Sequence, residues 1–184
     1  MTRKWTQGIQ WPAACRTIRM APLLGRFGIL DSVVDSLERI LPTYRGPEGS
    51  HEGIALLCGV ELPHITLFTT AVFPEADHRR DYVQCSEDQF AAASAVARKS
   101  GLGVIAQVHT HPTDSALHSL GDDDMVRPRY EGMLSIVVPA YGRHGLRPLY
   151  SLGVHQFQDS TWVLAEHEDV RQNIVIVPTA VDLR

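Results

Sequence analysis

His109-Thr110-His111-Pro112, with Ser119 and Asp122 downstream, assembles residue types that bind and use a divalent metal. Two imidazoles stand two residues apart, and a carboxylate follows eleven residues after the second. That is the ligand set of a catalytic zinc site, where three protein ligands leave a fourth position for water. In extended backbone alternate side chains share a face, so both imidazoles can converge on one ion. Pro112 has no N–H for a ladder and favours leaving a sheet at that point. Ser119, with an acid three residues on, reads as a helix start that brings Asp122 back to the same place. Asp123 and Asp124 extend the acidic run and compete with Asp122 as third ligand.

Zinc held in this way brings its bound water toward neutral pKa and polarises a carbonyl. Hydrolysis then needs a base for the water's proton and a donor for the developing oxyanion. Ser119, beside Asp122, is the candidate donor, and the base should be a carboxylate arriving from another element.

The string His109-Thr110-His111-Pro112 with Ser119 and Asp122 resembles the signature of the JAB/MPN-domain metalloproteases, the JAMM family. That family also carries an upstream glutamate in the pattern E-x-x-G-x-L-x-G. Glu52-Gly53-Ile54-Ala55-Leu56-Leu57-Cys58-Gly59 fits in length, at Leu57 and at Gly59, and departs at Ala55. Glu48 and Glu61 are the other carboxylates near it. His118 stands where many members have proline before the serine. The resemblance implies Zn²⁺ on His109, His111 and Asp122, Glu52 as general acid/base, and Ser119 stabilising the tetrahedral intermediate. It implies a cytidine-deaminase-like fold and cleavage of the amide bond after the C-terminal glycine of ubiquitin or a ubiquitin-like protein. The substrate tail would pair along a sheet edge near the zinc. The chain is similar in size to small bacterial JAB proteins, which implies E1-like and E2-like partners and a role in phage defence. Two other readings remain: a JAB-type peptidase of sulfur-carrier or amino-acid metabolism, and a non-catalytic scaffold that retains zinc. Because every ligand is kept, the resemblance favours an enzyme.

The elements that must position these residues follow from periodicity and punctuation. Asp31 or Ser32 can cap a helix to Leu41, with Val33, Val34, Leu37, Ile40 and Leu41 on one stripe and Pro42 ending it. Residues 45–50 read as a loop by their Gly and Pro content. Residues 54–58 and 65–73 read as strands around the Pro63 turn. Ser86-Glu87-Asp88-Gln89 is a capping box for a helix to Lys99, closed by Gly101. Residues 104–109 form the apolar strand that delivers His109. The segment 122–129 reads as helical until Pro128, and 134–139 as a buried strand. Residues 150–157 and 161–165 read as a hairpin, and 174–177 as a last strand. The expected architecture is α/β, a single domain over residues 26–184 with a mixed sheet flanked by helices, behind an N-terminal extension at 1–25.

A chain of 184 residues accommodates one sizeable core, and its net charge of −4 gives no footprint for nucleic acid. No apolar run follows the basic start, so neither a signal peptide nor a membrane anchor is expected. Cys15, Cys58 and Cys85 are odd in number, widely spaced and without a C-x-x-C, which fits a reducing cytoplasm. Trp5, Trp11 and Trp162 read as packing residues, and His51, Asp114 and His118 as loop residues. His155 and His167 have no partner at a recognisable spacing.

Overall fold

The structure is a computed structural model that describes residues 18–125 and 129–179. The readings on Trp5, Trp11, Cys15 and Pro128 lie outside the described residues, as does the side chain of Asp124.

One mixed sheet organises the chain. Its strands are β1 (Phe27–Leu30), β2 (Ile54–Leu62), β3 (Ile65–Val72), β4 (Gly103–Thr110), β5 (Leu134–Val138), β6 (Gly153–Gln158), β7 (Thr161–Leu164) and β8 (Ile174–Val177). They lie in the order β7-β6-β5-β4-β2-β3-β1-β8. β4 is antiparallel to β2 and parallel to β5, so the chain between β4 and β5 is a crossover connection. That connection carries Ser119 and Asp122. The helices are α1 (Asp31–Ile40), α2 (Glu87–Lys99), α3 (Leu120–Met125) and α4 (His167–Asn173). Among the described residues no helix is long and apolar enough to cross a membrane.

Alternation along β2 divides the core between two faces. Ala55 and Leu57 join the large cluster with Val33, Val34 and Leu37 of α1 and Val170 of α4. Leu56 and Cys58 face the other way, against Ala93 and Ala97 of α2. In β4, Ala106 and Val108 belong to the large cluster, which leaves Gln107 and His109 on the opposite face. The capping box forms as the sequence reads, with Ser86 Oγ accepting from Gln89 N–H and the Gln89 amide oxygen accepting from Ser86 N–H. Gly59 sits at a β-bulge where a Cβ would stand 1.7 Å from the carbonyl oxygen of Leu67. Only glycine allows that approach.

Several elements differ from the sequence reading. β1 is a four-residue strand with parallel neighbours on both sides, too short for a periodic signal. α4 also goes unread, because its seven residues bury only Val170. The expected loop at 45–50 closes on itself as a two-residue ladder, Arg45–Gly46 with Gly49–Ser50. A second short ladder joins Asp77–His78 to Val83–Gln84. The expected β6–β7 hairpin does form, with Asp159 and Ser160, at φ 49 and 63, making its tight turn. The described part of the N-terminal extension packs onto the domain. Met20 bridges Leu164 of β7, and Leu23 enters the core with its N–H on Asp169.

Candidate metal centre

β4 sets His109 in register with Ile54 on one side and Val137 on the other. The pairing continues past the strand end through His111 N–H to Val138 O at 2.9 Å, so both imidazoles emerge on one face. Asp122 returns to them from the first turn of α3. Ser119 caps that turn: its N–H donates to Asp122 Oδ2, and its Oγ accepts from Asp122 N–H at 3.3 Å. His109, His111 and Asp122 are 0%, 8% and 6% exposed. They form a group able to hold a metal ion.

Their donor atoms crowd together. The two Nε2 atoms are 3.2 Å apart, His111 Nε2 lies 3.1 Å from Asp122 Oδ2, and His109 Nε2 lies 3.4 Å from Asp122 Oδ1. Ligand bonds of about 2.0–2.1 Å to a tetrahedral ion would space donors by about 3.4 Å, close to this arrangement. The charge balance points the same way. His111 donates its Nδ1–H to Ser115 O at 3.2 Å, which leaves the Nε2 lone pair facing the centre beside a carboxylate. Two nitrogens and a carboxylate oxygen converging out of water suit a shared cation, and an N/O set suits a borderline metal. His109 Nδ1 is buried with no acceptor among the described residues.

Glu52, 4% exposed, reaches the same place from the residue pair before β2. Its backbone is held on both sides. Glu52 N–H donates to Arg79 O at 2.7 Å, and Glu52 O pairs with His78 Nδ1 at 2.8 Å, whose ring stacks on Tyr44 at 3.9 Å. Next to it, Gly53 N–H donates to Thr110 Oγ1 at 2.8 Å, and Thr110 N–H donates to Gly53 O at 3.0 Å. The residue between the two histidines therefore fixes the distance from Glu52 to the triad. Glu48 and Glu61 are exposed.

The environment drives the two carboxyls apart. Burial pushes the Glu52 carboxyl up to about 8, with the imidazole of His111 opposing and the charge of Asp122 reinforcing it. Burial acts on Asp122 in the same sense, but His109 and His111, when protonated in the metal-free protein, outweigh it through hydrogen bonds and charge and hold that carboxyl well below its ordinary range. Burial pushes His109 down. It would lower His111 too, but Asp122 and Glu52 raise it instead. One carboxylate fixed as an anion beside one able to carry a proton is the division of labour acid/base chemistry requires.

Behind the triad the structure assembles residues that sequence spacing left separate. His118 is a folded-in residue, its side chain 4% exposed, rather than a free loop residue. His155 does have a partner: its ring stacks on that of His118 at 3.8 Å. The path of the crossover over β6, not sequence spacing, brings them together. Asp123 Oδ1 lies 3.1 Å from His118 Nδ1, while Asp122 is the carboxylate grouped with His109 and His111. A signal for this layer existed in Ser135, a lone polar residue inside the apolar run Leu134–Val138.

The site is thus a mixed sheet whose central strand leads into two convergent imidazoles, met by a crossover carboxylate and a neighbouring glutamate in a group that could hold a metal ion. Residues 44–156 match the family described as prokaryotic homologs of the JAB domain, and the chain belongs to it. The chain is 31% identical over 140 residues to a Sinorhizobium fredii (strain NBRC 101917 / NGR234) protein named "Probable metalloprotease y4jG", covering 74% of this chain and 78% of that one. Its fold is similar to the solution structure of protein DSY2949 from Desulfitobacterium hafniense, with a TM-score of 0.60 at 13% identity over 83% of this chain and 94% of that one. A solution structure from Salinibacter ruber (strain DSM 13855) gives a TM-score of 0.54 at 17% identity over 85% and 95%.

Proposed function

We propose that the protein is a zinc-dependent peptidase that hydrolyses the amide bond after the C-terminal glycine of a ubiquitin-like protein. The observation that carries the hydrolytic reading is the buried Glu52 carboxyl beside the His109–His111–Asp122 group. The relative's name and the JAMM motif support a peptidase, and the motif resemblance supports the ubiquitin-like substrate.

Zinc, when held by His109, His111 and Asp122, supplies a Lewis acid that activates water and polarises the scissile carbonyl. Glu52 takes the proton of the attacking water and delivers it to the leaving amine nitrogen. A carboxyl displaced toward neutrality can do both, and the Thr110–Gly53 and Arg79–Glu52 bonds hold it in place. The Ser119 hydroxyl accepts from Asp122 N–H and so has its own O–H free to donate to the oxyanion. The 77–84 hairpin holds the Glu52 backbone through Arg79 O and His78 Nδ1.

The test is a set of ubiquitin-like proteins, each fused after its terminal glycine to a reporter and incubated with zinc-loaded protein. Mass spectrometry should find cleavage after that glycine by the wild type and none by His109→Ala, with one zinc per wild-type chain. Tight binding of the fusions without hydrolysis would replace this reading by a zinc-retaining scaffold.

A further inference from the structure

Among its described residues, the crossover segment that carries Ser119 and Asp122 has one regular element, α3. What it rests on is a polar row on the sheet. Gln107 of β4, Ser135 of β5 and His155 of β6 are register partners across three adjacent strands and are 2%, 0% and 3% exposed. Polar groups this deep in a sheet are costly unless bonded. Gln107 Nε2 donates to Ser135 Oγ at 3.2 Å, and Ser135 Oγ lies 2.9 Å from His118 Nε2. His118 Nδ1 faces the Asp123 carboxylate, which can only accept, so Nδ1 carries the proton and Nε2 accepts from the serine hydroxyl. The His118 backbone N–H donates to His155 Nε2 at 3.4 Å. One residue of the crossover thus binds the row through its ring Nε2, its ring face and its main chain.

We propose that His118 is a positioning residue that locks the crossover onto the Gln107–Ser135–His155 row and so places Ser119 and Asp122 at the metal centre. The proposal rests on reading His109, His111 and Asp122 as a metal site. His118 immediately precedes Ser119, whose N–H orients the Asp122 carboxylate, and its ring lies 6.0 Å from that of His109. Asp123, His118 and Ser135 repeat the bonding order of a Ser-His-Asp catalytic triad. Ser135 is wholly buried, however, and its oxygen is engaged by both Gln107 and His118, so the arrangement supports the metal centre and offers no nucleophile.

The experiment measures zinc affinity by competition with a chromophoric chelator, alongside kcat and KM on a cleavable fusion, for zinc-loaded wild type, His118→Ala, His118→Gln and Ser135→Ala. Loss of a support around a metal ligand typically costs 10–100-fold in affinity. His118→Ala should lose about that much, with kcat falling and KM unchanged. His118→Gln, whose amide can both accept from Ser135 and donate to Asp123, should recover most of the loss. Ser135→Ala keeps the core volume and should weaken zinc by a smaller factor, which keeps the test decisive if His118→Ala fails to fold. Ser86→Ala, which removes the α2 cap and touches no residue of the row, should lower stability and leave zinc affinity unchanged. Wild-type zinc affinity in folded Ser135→Ala or His118→Ala overturns the proposal, as does labelling of Ser135 by a fluorophosphonate probe. A wild type that retains no zinc overturns the metal reading as well.

Discussion

Replacing Glu52 by glutamine should separate catalysis from stability in opposite directions. The carboxyl sits at about 8 in the folded, metal-free protein against an ordinary value of 4.5. The folded state therefore keeps a proton that the unfolded chain has released, and stability falls as pH rises from 4.5 to 8, then levels off. By pH 7 the accumulated cost is on the order of 3 kcal/mol, from about 1.4 kcal/mol per unit of displacement. Glutamine does not titrate. Metal-free Glu52→Gln should accordingly gain on the wild type by about 2.5 kcal/mol between pH 5.5 and 7.5. Urea unfolding of chelator-treated protein at those two pH values reads this directly. Adding zinc should shrink the difference, because a cation beside Glu52 stabilises its charged form. In the same variant kcat should fall by about 10²–10⁴, the usual contribution of a positioned acid/base. Gain of stability with loss of turnover is a signature that misfolding cannot produce. A stability difference independent of pH, or a kcat within tenfold of wild type, would refute the reasoning.

Thr110→Val should cost about 1–3 kcal/mol by leaving the buried Gly53 N–H without its side-chain acceptor, and should lower kcat more than it raises KM as Glu52 shifts. Thermal melts and steady-state kinetics on the fusion substrate check both parts. Gly153→Ala places a methyl 1.7 Å from the carbonyl oxygen of Ala116, in the crossover above β6. Displacing that backbone should cost about 1–3 kcal/mol and weaken zinc binding, measured by melting and chelator competition. Wild-type zinc affinity in the Gly153→Ala variant would show that the seat on Gly153 does not position Asp122.

Much of the site was legible in the sequence because its chemistry is written in local spacing. His109 and His111 share a strand face by the period of two, and Ser119 with Asp122 is a capping pattern. The capping box at Ser86 and the apolar strands at 54, 104 and 134 were legible for the same reason. What stayed hidden depends on contacts between segments distant in the chain. Nothing near His155 in the chain predicts His118 above it, and nothing near Glu52 predicts His78 and Arg79 on its backbone. β1 and α4 escaped because a four-residue strand and a seven-residue helix hold too few turns of either period to register.

The crossover between β4 and β5 has a consequence for how the protein comes apart. Parallel strands can pair only after the intervening chain has closed on itself, and such closure is slow and entropically unfavourable. Here the ligands span that closure: His109 and His111 stand where the crossover leaves β4, and Asp122 lies eleven residues into it. An ion held by all three would tie the first half of the crossover to the end of β4. A metal bound there would lengthen the lifetime of the folded chain, and its removal would first release the crossover that carries Asp122.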